Sequence, residues 1–221
     1  MIVIPTIFRN FAADYVIETT NIMAMMEKIK TLCLVVLLTL CSTINAQEWI
    51  DVTDVFITNP DFKNNNNDDW SWTSNASSQT CRAECMEFWN GTFNFWQGLT
   101  GLPQGKYRLS VQAFYRVVSN DYAYSAYREG TEDLTAIMYA DSHEQPLLSV
   151  YSYEFPEAVD GCWTYSSGGW WGGGETHYFP NNMESASVAF GNGAYWNKLE
   201  FEGGGDIVIG LKNENYRNDN W

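Results

Sequence analysis

The chain has 221 residues and a formal net charge of −15, with 27 acidic side chains against 12 lysines and arginines. So acidic a chain repels the phosphates of nucleic acids and the anionic surfaces of membranes, which excludes both as expected partners. All 10 tryptophans lie beyond residue 48, among many tyrosines, phenylalanines, glycines and asparagines. This composition favours an antiparallel β domain with aromatic surface features.

The N-terminal residues 1–25 show no pattern of a folded element and precede a second start codon position at Met26. We expect them to be a spurious extension that reflects the choice of start codon. The alternative is that they form a longer positive region in front of an export signal, which changes nothing downstream.

Residues 26–46 have the pattern of a secretory signal peptide. Two lysines come first, residues 31–44 are uncharged and mostly apolar, and Ala46 is a small residue at the expected cleavage point. The apolar run is too short to span a membrane, which takes roughly 20 residues. We therefore expect residues 47–221 to form one exported domain, secreted or at the cell surface, with the periplasm as an alternative and no membrane span after cleavage.

The beginning of this domain combines strand composition with a long polar loop. Residues 52–58 have the composition of a strand, whereas 63–80 are rich in asparagine and predict an exposed loop. Trp70 and Trp72 interrupt this loop. Tryptophans in such a loop are either plugs that close one end of a core or platforms for a ligand, and plugs are the commoner case.

The central segment 93–116 has the clearest pattern in the chain. Its second half alternates strictly, because apolar residues of one parity face a core while polar residues of the other parity face away. The core-facing set is Tyr107, Leu109, Val111, Ala113 and Tyr115. Phe114 breaks the polar parity and is expected on the far face. The run 102–105, Leu-Pro-Gln-Gly, predicts a tight turn between two strands, and Asn90-Gly91 predicts a hairpin turn before them.

Two aromatic-rich segments follow, and both are expected to be loops. Residues 119–133 predict a polar loop with three tyrosines, and 152–180 predict a long insertion without a sustained period. Near the C-terminus, 183–190 predict a short helical turn. Residues 195–202 and 206–212 alternate as strands, with three glycines turning the chain between them. The whole pattern predicts an all-β, antiparallel sandwich or jelly roll of about eight strands.

The exported region keeps an odd number of cysteines: Cys81, Cys85 and Cys162. The simplest arrangement is one disulfide from Cys162 to either of the other two, with one free thiol; three free thiols are an equally weighted alternative. A zinc site would need His143 or His177 as a further ligand, and neither has a ligand-like spacing.

The order of several motifs resembles a known family. The runs FITNPDF, ECMEFWNGTFNFWQGLTGLPQGKYRLSVQAFYR, FPNNMESASVAF and GDIVIGLKNEN resemble the galactose-binding-like β-sandwich domains, similar to carbohydrate-binding modules, of secreted Bacteroidetes proteins. The resemblance covers residues 50–221 and is most specific over 99–116. It implies a jelly roll that binds glycans without catalysis, often with a structural calcium ion.

The resemblance also implies two further points. In the family another strand follows a tryptophan like Trp221, so we expect the C-terminal strand to be missing and one strand edge to be left unpaired. Asp61 and Glu87 are the nearest candidates for a structural Ca²⁺ site, although calcium needs six to eight oxygens and acidic residues mostly serve solubility here.

Glycan binding is the expected function, because sugar rings stack their apolar faces on aromatic side chains while amides and carboxylates bind their hydroxyls. An exposed aromatic patch is a recognised mark of a binding site. The candidate residues are Trp163, Tyr165, Trp170, Trp171, Tyr122, Tyr124 and Trp72. Either Trp170 or Trp171 alone more readily caps the sheet, but two adjacent tryptophans between glycines are hard to bury together. The alternative is a structural or adhesion domain of a surface protein with no glycan ligand.

An enzyme, such as a glycoside hydrolase or lyase, is the least favoured alternative. Glu84 with Glu87, and Glu200 with Glu202, are the close pairs of carboxyl groups, and a retaining glycosidase needs such a pair about 5 Å apart in a cleft. The second pair lies beside Lys198 and a triglycine run, which suits a solvated face. The sequence contains no nucleophile elbow, zinc-protease motif or phosphate-binding loop. We therefore expect a binding protein.

Overall fold

The computed structural model describes residues 6–16, 49–117, 121–167 and 174–215, and most of these residues form β-strands. The strands are β1 (Thr6–Val16), β2 (Ile50–Asp51), β3 (Ser71–Ser74), β4 (Ser78–Arg82), β5 (Cys85–Trp89), β6 (Phe93–Tyr115), β7 (Ile137–Ala140), β8 (His143–Pro146), β9 (Leu148–Ser149), β10 (Cys162–Ser166), β11 (Thr176–Pro180) and β12 (Trp196–Asn213). The helices are α1 (Thr53–Phe56), α2 (Asp121–Glu129) and α3 (Met183–Gly191), with short 3-10 turns at Lys63–Asn65 and Val150–Ser152.

The strands form one large sheet and one separate hairpin. The large sheet has the order β4-β5-β1-β6-β12-β7-β8; β2 pairs with β1, and β3 and β9 pair with β6. The hairpin consists of β10 and β11. The pairs are antiparallel except β6 with β9. The prediction of an all-β, antiparallel domain is confirmed at this level.

Strands β6 and β12 pair along their whole length and form the spine of the sheet. The ladder runs from Gln112 opposite Trp196 to Phe93 opposite Asn213. The predicted tight turn at 102–105 is therefore wrong, as is the predicted turn between 195–202 and 206–212. Each of these segments continues its strand through a bend.

The two glycine-containing segments lie opposite each other at this bend. The register shifts on both sides of Gly205, which has a left-handed φ of 83°. At Gly204 an added Cβ atom would lie 2.6 Å from the carbonyl oxygen of Pro103, so only glycine fits there. Glycine and proline therefore mark a bulge shared by two paired strands, which the sequence cannot distinguish from a hairpin turn.

The core-facing set predicted for β6 is confirmed, but the prediction that only this face is buried is wrong, because Ser110, Gln112 and Arg116 of the other parity are buried too. The two faces of β6 contact two different hydrophobic clusters. The core-facing residues of β6 are buried in the first cluster with the inward residues of β12, namely Leu199, Phe201, Ile207, Ile209 and Leu211. Phe114 is buried on the opposite face, in a second cluster with Phe155, Phe179 and Phe190. Both faces of the second half of β6 are thus covered. One face packs in the first cluster, and the other packs against α3 and the loops around it.

Trp70 confirms the plug interpretation, whereas Trp72 does not share its environment. The indole of Trp70 is only 4% exposed, stacks on Phe95 at 4.8 Å between ring centroids and donates a hydrogen bond to the carbonyl of Asn59. Trp72 lies on β3, pairs with Phe95 across the ladder and is 44% exposed. Strand β3 begins at Ser71, so Trp70 precedes the strand and its side chain is not constrained by the alternation that positions Trp72.

Several predicted elements differ from the structure. Residues 52–58 contain α1 in place of a strand, and the predicted loop 63–80 includes β3 and β4. Residues 119–133 contain α2 where a polar loop was predicted. The Asn90-Gly91 hairpin is wrong because β1 separates β5 from β6. The two-residue turn lies at Ala83-Glu84, both at positive φ, between β4 and β5.

The helix predicted over 183–190 is confirmed as α3. Its first turn is fixed by a capping box, in which the Asn182 side chain accepts a hydrogen bond from the Ser185 amide and the Ser185 hydroxyl binds the main chain of Asn182. None of the helices in the described part of the chain combines the length and the apolar character that a membrane crossing requires.

Strand β1 changes the expectation for the N-terminal residues. Residues 1–25 were expected to contain no folded element, yet Thr6–Val16 form an inner strand between β5 and β6. Strand β1 pairs with both of its neighbours. The predicted signal peptide 26–46 and the C-terminal Trp221 lie outside the described residues.

The three cysteines of the domain are free thiols, so the disulfide prediction is wrong and its alternative holds. Cys85 is fully buried in the second cluster, with its Sγ 3.2 Å from the carbonyl oxygen of Ala83. Burial raises the pKa of the Cys81 thiol to about 11. Thiols with this environment stay protonated at neutral pH and are unreactive.

Candidate functional site

The β10–β11 hairpin presents four rings on one face. The ladder pairs Trp163 with Phe179 and Tyr165 with His177, and residues of the same parity share a face of a strand. Ring centroids are 6.0 Å apart for Trp163 and Tyr165, and 5.9 Å apart for Trp163 and Phe179. The insertion 152–180, which was predicted to lack a period, therefore contains two paired strands, β10 and β11.

Helix α2 packs Tyr124 against this face of the hairpin. The ring of Tyr124 lies 4.6 Å from Tyr165, 5.0 Å from Phe179 and 5.2 Å from His177, measured between centroids. Tyr151, from the 3-10 turn after β9, completes the packing at 5.5 Å from Tyr124. We call the whole set the ring cluster; its members are Tyr124, Tyr127, Tyr151, Trp163, Tyr165, His177 and Phe179.

The ring cluster has an inner and an outer layer. Tyr124, Tyr151 and Phe179 are buried, with 7%, 3% and 1% of their surface exposed. Trp163 and Tyr165 are half-buried. The inner rings fix the outer ones from behind, because aromatic pairs in tilted or edge-to-face contact gain about 0.5–1.5 kcal/mol beyond the area they bury. The outer rings are thus held rigidly with part of their surface in solvent.

Two carboxylates flank the imidazole in this layer. Nδ1 of His177 lies 2.9 Å from Oε1 of Glu154, and Nε2 lies 3.6 Å from Oε2 of Glu175. A carboxylate can only accept hydrogen bonds, so Nδ1 of His177 carries a proton. Burial, and then the charge of Glu154, raise the pKa of Tyr124. The side chains of Glu154 and Glu175 are 42% and 78% exposed, so both carboxylates are accessible to solvent.

The structure brings three of the predicted binding residues together and separates the others. Trp163, Tyr165 and Tyr124 meet in the ring cluster, although Tyr124 belongs to its buried layer. Tyr122 lies on α2 but is 79% exposed, and Trp72 is on β3 in the large sheet. Trp170 and Trp171 lie outside the described residues, in the segment that joins β10 to β11.

The candidate calcium ligands Asp61 and Glu87 both lie near charged side chains. Asp61 makes an ion pair of 2.9 Å with Lys63 and raises the pKa of that lysine. Burial raises the pKa of Glu87, opposed by the charges of Arg116 and Arg82. Among the residues that the structure describes, no group of three or more histidine, cysteine, aspartate or glutamate side chains is arranged to hold a metal ion.

Glu200, one of the carboxyl groups considered for hydrolysis, is paired with two cations. Glu200 binds Arg108 through one oxygen at 2.8 Å and Lys106 through the other at 3.1 Å. Hydrogen bonds from Arg108 and Lys106 lower the pKa of Glu200. Both oxygens of this carboxylate are therefore committed to cations on the neighbouring strand β6, as suits the solvated face predicted for it.

A pocket lies apart from the ring cluster, beside α1 and β6. It encloses about 330 Å³, the lower limit for a small-molecule site, and is lined by Val55, Phe56, Thr58, Asp69, Gln97, Gly98 and Thr100. The amide of Gln97 is hydrogen-bonded to the main chain of Thr58 and Asp69. Its polar group is thus used to hold the two loops together.

Sequence reasoning missed the partners that build the site: Tyr151, Glu154, His177 and Phe179. The sequence holds a signal for His177 and Phe179. These two rings are two residues apart, as are Trp163 and Tyr165, and residues two apart share one face of a strand. Tyr151 and Glu154 come from a segment that has no period, and their position depends on tertiary packing alone.

Comparisons of the chain with protein-family models, with curated proteins and with solved structures found no match. The distances, burial and charges of the ring cluster are therefore the basis on which a function is assigned.

Proposed function

We propose that this chain is a secreted, non-catalytic glycan-binding module with a galactose-binding-like, jelly-roll β-sandwich fold, and that Trp163 and Tyr165 contact the sugar. The observation that carries the proposal is the layered packing of the ring cluster. A sugar-binding aromatic ring needs one side anchored and another side open, and the half-buried outer layer on a buried inner layer meets both needs.

The polar groups at the cluster suit sugar hydroxyls. Glu154 and Glu175 offer carboxylate oxygens to hydroxyl donors next to the outer rings, and the His177 imidazole fixes Glu154 in place. Hydrogen bonds to charged groups contribute about 1.5–3 kcal/mol each, so one or two of them add direction to a stacking contact. Trp170 and Trp171, in the connection between the two hairpin strands, are the further residues proposed to contact the ligand.

The charge of the chain narrows the class of glycan. A net charge of −15 repels polysaccharides that carry sulfates or uronic acids, particularly at low ionic strength. With two carboxylates beside the outer rings, a neutral glycan is the favoured ligand.

A structural or adhesion domain is the second candidate, and the depth of the ring cluster favours it. Tyr124 was expected to bind ligand, but its ring is buried against neighbouring rings. Trp163 also contacts two rings of the inner layer, Tyr151 and Phe179. A domain that only stabilises its hairpin would need the same contacts. The two candidates differ in whether the outer rings bind a sugar.

A glycan-array measurement with the full chain separates these candidates. We expect saturable binding to neutral glycans, reduced about tenfold or more by Trp163→Ala or Tyr165→Ala, since stacking contacts are of order 1–2 kcal/mol. The matched control is Trp196→Ala, which removes a 39% exposed indole on β12. Equal thermal stability of the variants shows that binding alone has changed.

The conservative variant Trp163→Phe keeps a ring for stacking and is expected to retain part of the affinity. Trp170→Ala and Trp171→Ala test the connecting segment in the same assay. Absence of binding to every glycan, or binding that survives all four alanine variants, would contradict the assignment of this site.

A further inference from the structure

Strand β1 lies between strands β5 and β6 in the large sheet. Its residue Ile7 pairs with Glu87 of β5 on one side and with Phe114 of β6 on the other. From Phe11 onwards the ladder with β6 continues to Val16 opposite Lys106. Because adjacent strands are about 4.8 Å apart, β5 and β6 lie about 9–10 Å apart with one strand between them. We call the space between them the β1 slot.

The β1 slot is bordered by two edges that need a partner. The other edge of β6 is taken by β12, and the other edge of β5 is taken by β4. Without a strand in the slot, β6 from Lys106 to Phe114 would lose one of its two ladders, and buried main-chain groups without a hydrogen bond are strongly disfavoured. The slot is thus specific for an extended segment that is antiparallel to both neighbours.

The borders of the slot are also apolar. Five residues that flank it, on β5 and β6, are at most 1% exposed: Met86, Phe88, Leu109, Val111 and Ala113. They belong to the first cluster and form its boundary below the slot. An empty slot would open this boundary to water, at a cost of about 25 cal/mol for each Å² of apolar surface exposed.

The covalent connection of β1 to the rest of the sheet is long. Its end pairs with β2 through Tyr15 opposite Ile50, and residues 17–49 join the two strands. This connection contains the predicted export signal with its cleavage point after Ala46. Cleavage there would separate β1 from every other strand without removing any residue of the slot.

We propose that the β1 slot is a strand-acceptor site, which binds an extended peptide with the sequence of β1 by main-chain ladders on both sides. Its occupant is β1, and the same segment takes the slot when it is supplied as a separate peptide after the connection has been cut. Addition of a strand to open sheet edges is an established mode of peptide recognition, in which the main chain supplies affinity and alternate side chains supply specificity. This proposal is independent of glycan binding.

The test uses the full chain with a site-specific protease sequence placed within residues 17–48. After cutting, we expect the N-terminal fragment to co-elute with the body in gel filtration. An excess of labelled synthetic peptide TIFRNFAADYV, the sequence of β1, is expected to exchange into the complex. Hydrogen exchange of the amides of β6 from 106 to 114 should stay slow while the slot is filled.

The matched control is the same peptide with Phe8→Pro and Ala12→Pro, which removes two main-chain donors and breaks the ladders. We expect its affinity to be lower by about tenfold or more. Release of the fragment followed by rebinding of the unmodified peptide would also support the proposal. It is overturned if the fragment leaves and protection of β6 is unchanged, if added peptide fails to restore lost protection, or if the proline peptide binds equally well.

Discussion

Gln97 binds both main-chain groups of Thr58 with one side chain. Its Oε1 accepts a hydrogen bond of 2.8 Å from the amide of Thr58, and its Nε2 donates one of 2.9 Å to the carbonyl of the same residue. Nε2 also donates to the carbonyl of Asp69 at 3.1 Å. The amide replaces a neighbouring strand for Thr58 and ties two loops to β6.

Replacing Gln97 with leucine should destabilise the domain. The change leaves three main-chain groups without their partners, and each unsatisfied buried group costs about 1–3 kcal/mol, reduced here where water can reach the groups. We expect a loss of about 2–4 kcal/mol in the free energy of unfolding, measured by urea titration. The control is Gln79→Leu, which removes a single exposed hydrogen bond to Ala76 and should change stability by less than about 0.5 kcal/mol. Equal effects of the two changes would contradict this role.

A second prediction concerns the bend of the central ladder. Gly204→Ala places a Cβ atom 2.6 Å from the Pro103 carbonyl oxygen and 2.8 Å from Cα of Gln104. Because both contacts are with backbone, the strands must move apart, and we expect a loss of about 1–3 kcal/mol. Gly98→Ala on the same strand pair meets no atom within 4 Å and is the control. A Gly204→Ala variant with an unchanged melting temperature would show that the bend is not tightly packed.

Glu132 predicts a dependence of stability on pH. Burial raises the pKa of this carboxyl to about 7, partly opposed by a hydrogen bond from the Ser149 hydroxyl. The folded state therefore binds the proton more tightly than the unfolded state, whose carboxyl has a pKa near 4.3. The contribution of the protonated group is fully present below about pH 4 and is lost as the pH rises through 7.

The variant Glu132→Gln removes this titration while keeping an oxygen for Ser149. We expect it to be more stable than the natural chain at pH 8, by about 1–2 kcal/mol, with a smaller difference at pH 5. Urea titrations at both pH values measure this, with Glu129→Gln on the exposed end of α2 as the control. A difference that grows towards pH 5 would have the wrong sign and would contradict the assignment.

Arg116 predicts an asymmetry between two substitutions. Its side chain is 1% exposed, and burial lowers its pKa to about 10. Nη1 donates to Oδ1 of Asn181 at 2.6 Å, whereas Nε and Nη2 have no hydrogen-bond partner among the described residues. A buried cation whose nitrogens lack acceptors costs free energy, so an apolar side chain of similar size removes that cost, whereas removing an acceptor increases it.

We therefore expect Arg116→Met to change the free energy of unfolding by less than about 1 kcal/mol, or to raise it, because it removes a buried charge with two unpaired nitrogens. Asn181→Ala should lower it by about 1–3 kcal/mol, because it leaves a buried cation with fewer acceptors. Thermal and urea unfolding of both variants measure the pair. If Arg116→Met is the more harmful change, the guanidinium has an additional role in the second cluster.

The parts of the fold that follow from local periodicity could be predicted from the sequence. The inward set of β6 was correct because alternation specifies a face wherever one side is buried, and α3 was correct because a cap precedes it. The turns at 102–105 and 203–205 could not be predicted, since glycine and proline produce bulges and hairpins from the same residues. Helix α2 was missed because 119–133 is polar and was interpreted as a loop, and its tyrosines have only a weak intrinsic preference for the helix.

The candidate site could be predicted only in part. Trp163 and Tyr165 followed from aromatic composition in a long connection, but the burial of Tyr124 depends on α2 docking against a hairpin far along the chain. His177 was considered only as a metal ligand, since its pairing opposite Tyr165 is visible only once β10 and β11 are aligned. Contacts across strands depend on register, which is set by turn geometry and by packing against the buried face, and neither is visible in the residues of one strand alone.

The pairing of β6 with β12 also constrains when the domain can form. Phe93 meets Asn213 in the ladder, so the spine joins segments that are separated by most of the domain. Such long-range pairings form slowly, because the chain loses the entropy of closing a large loop before it gains the contacts. During synthesis, β6 can pair with the preceding strand β3, but its ladder with β12 cannot close until nearly the whole domain has left the ribosome.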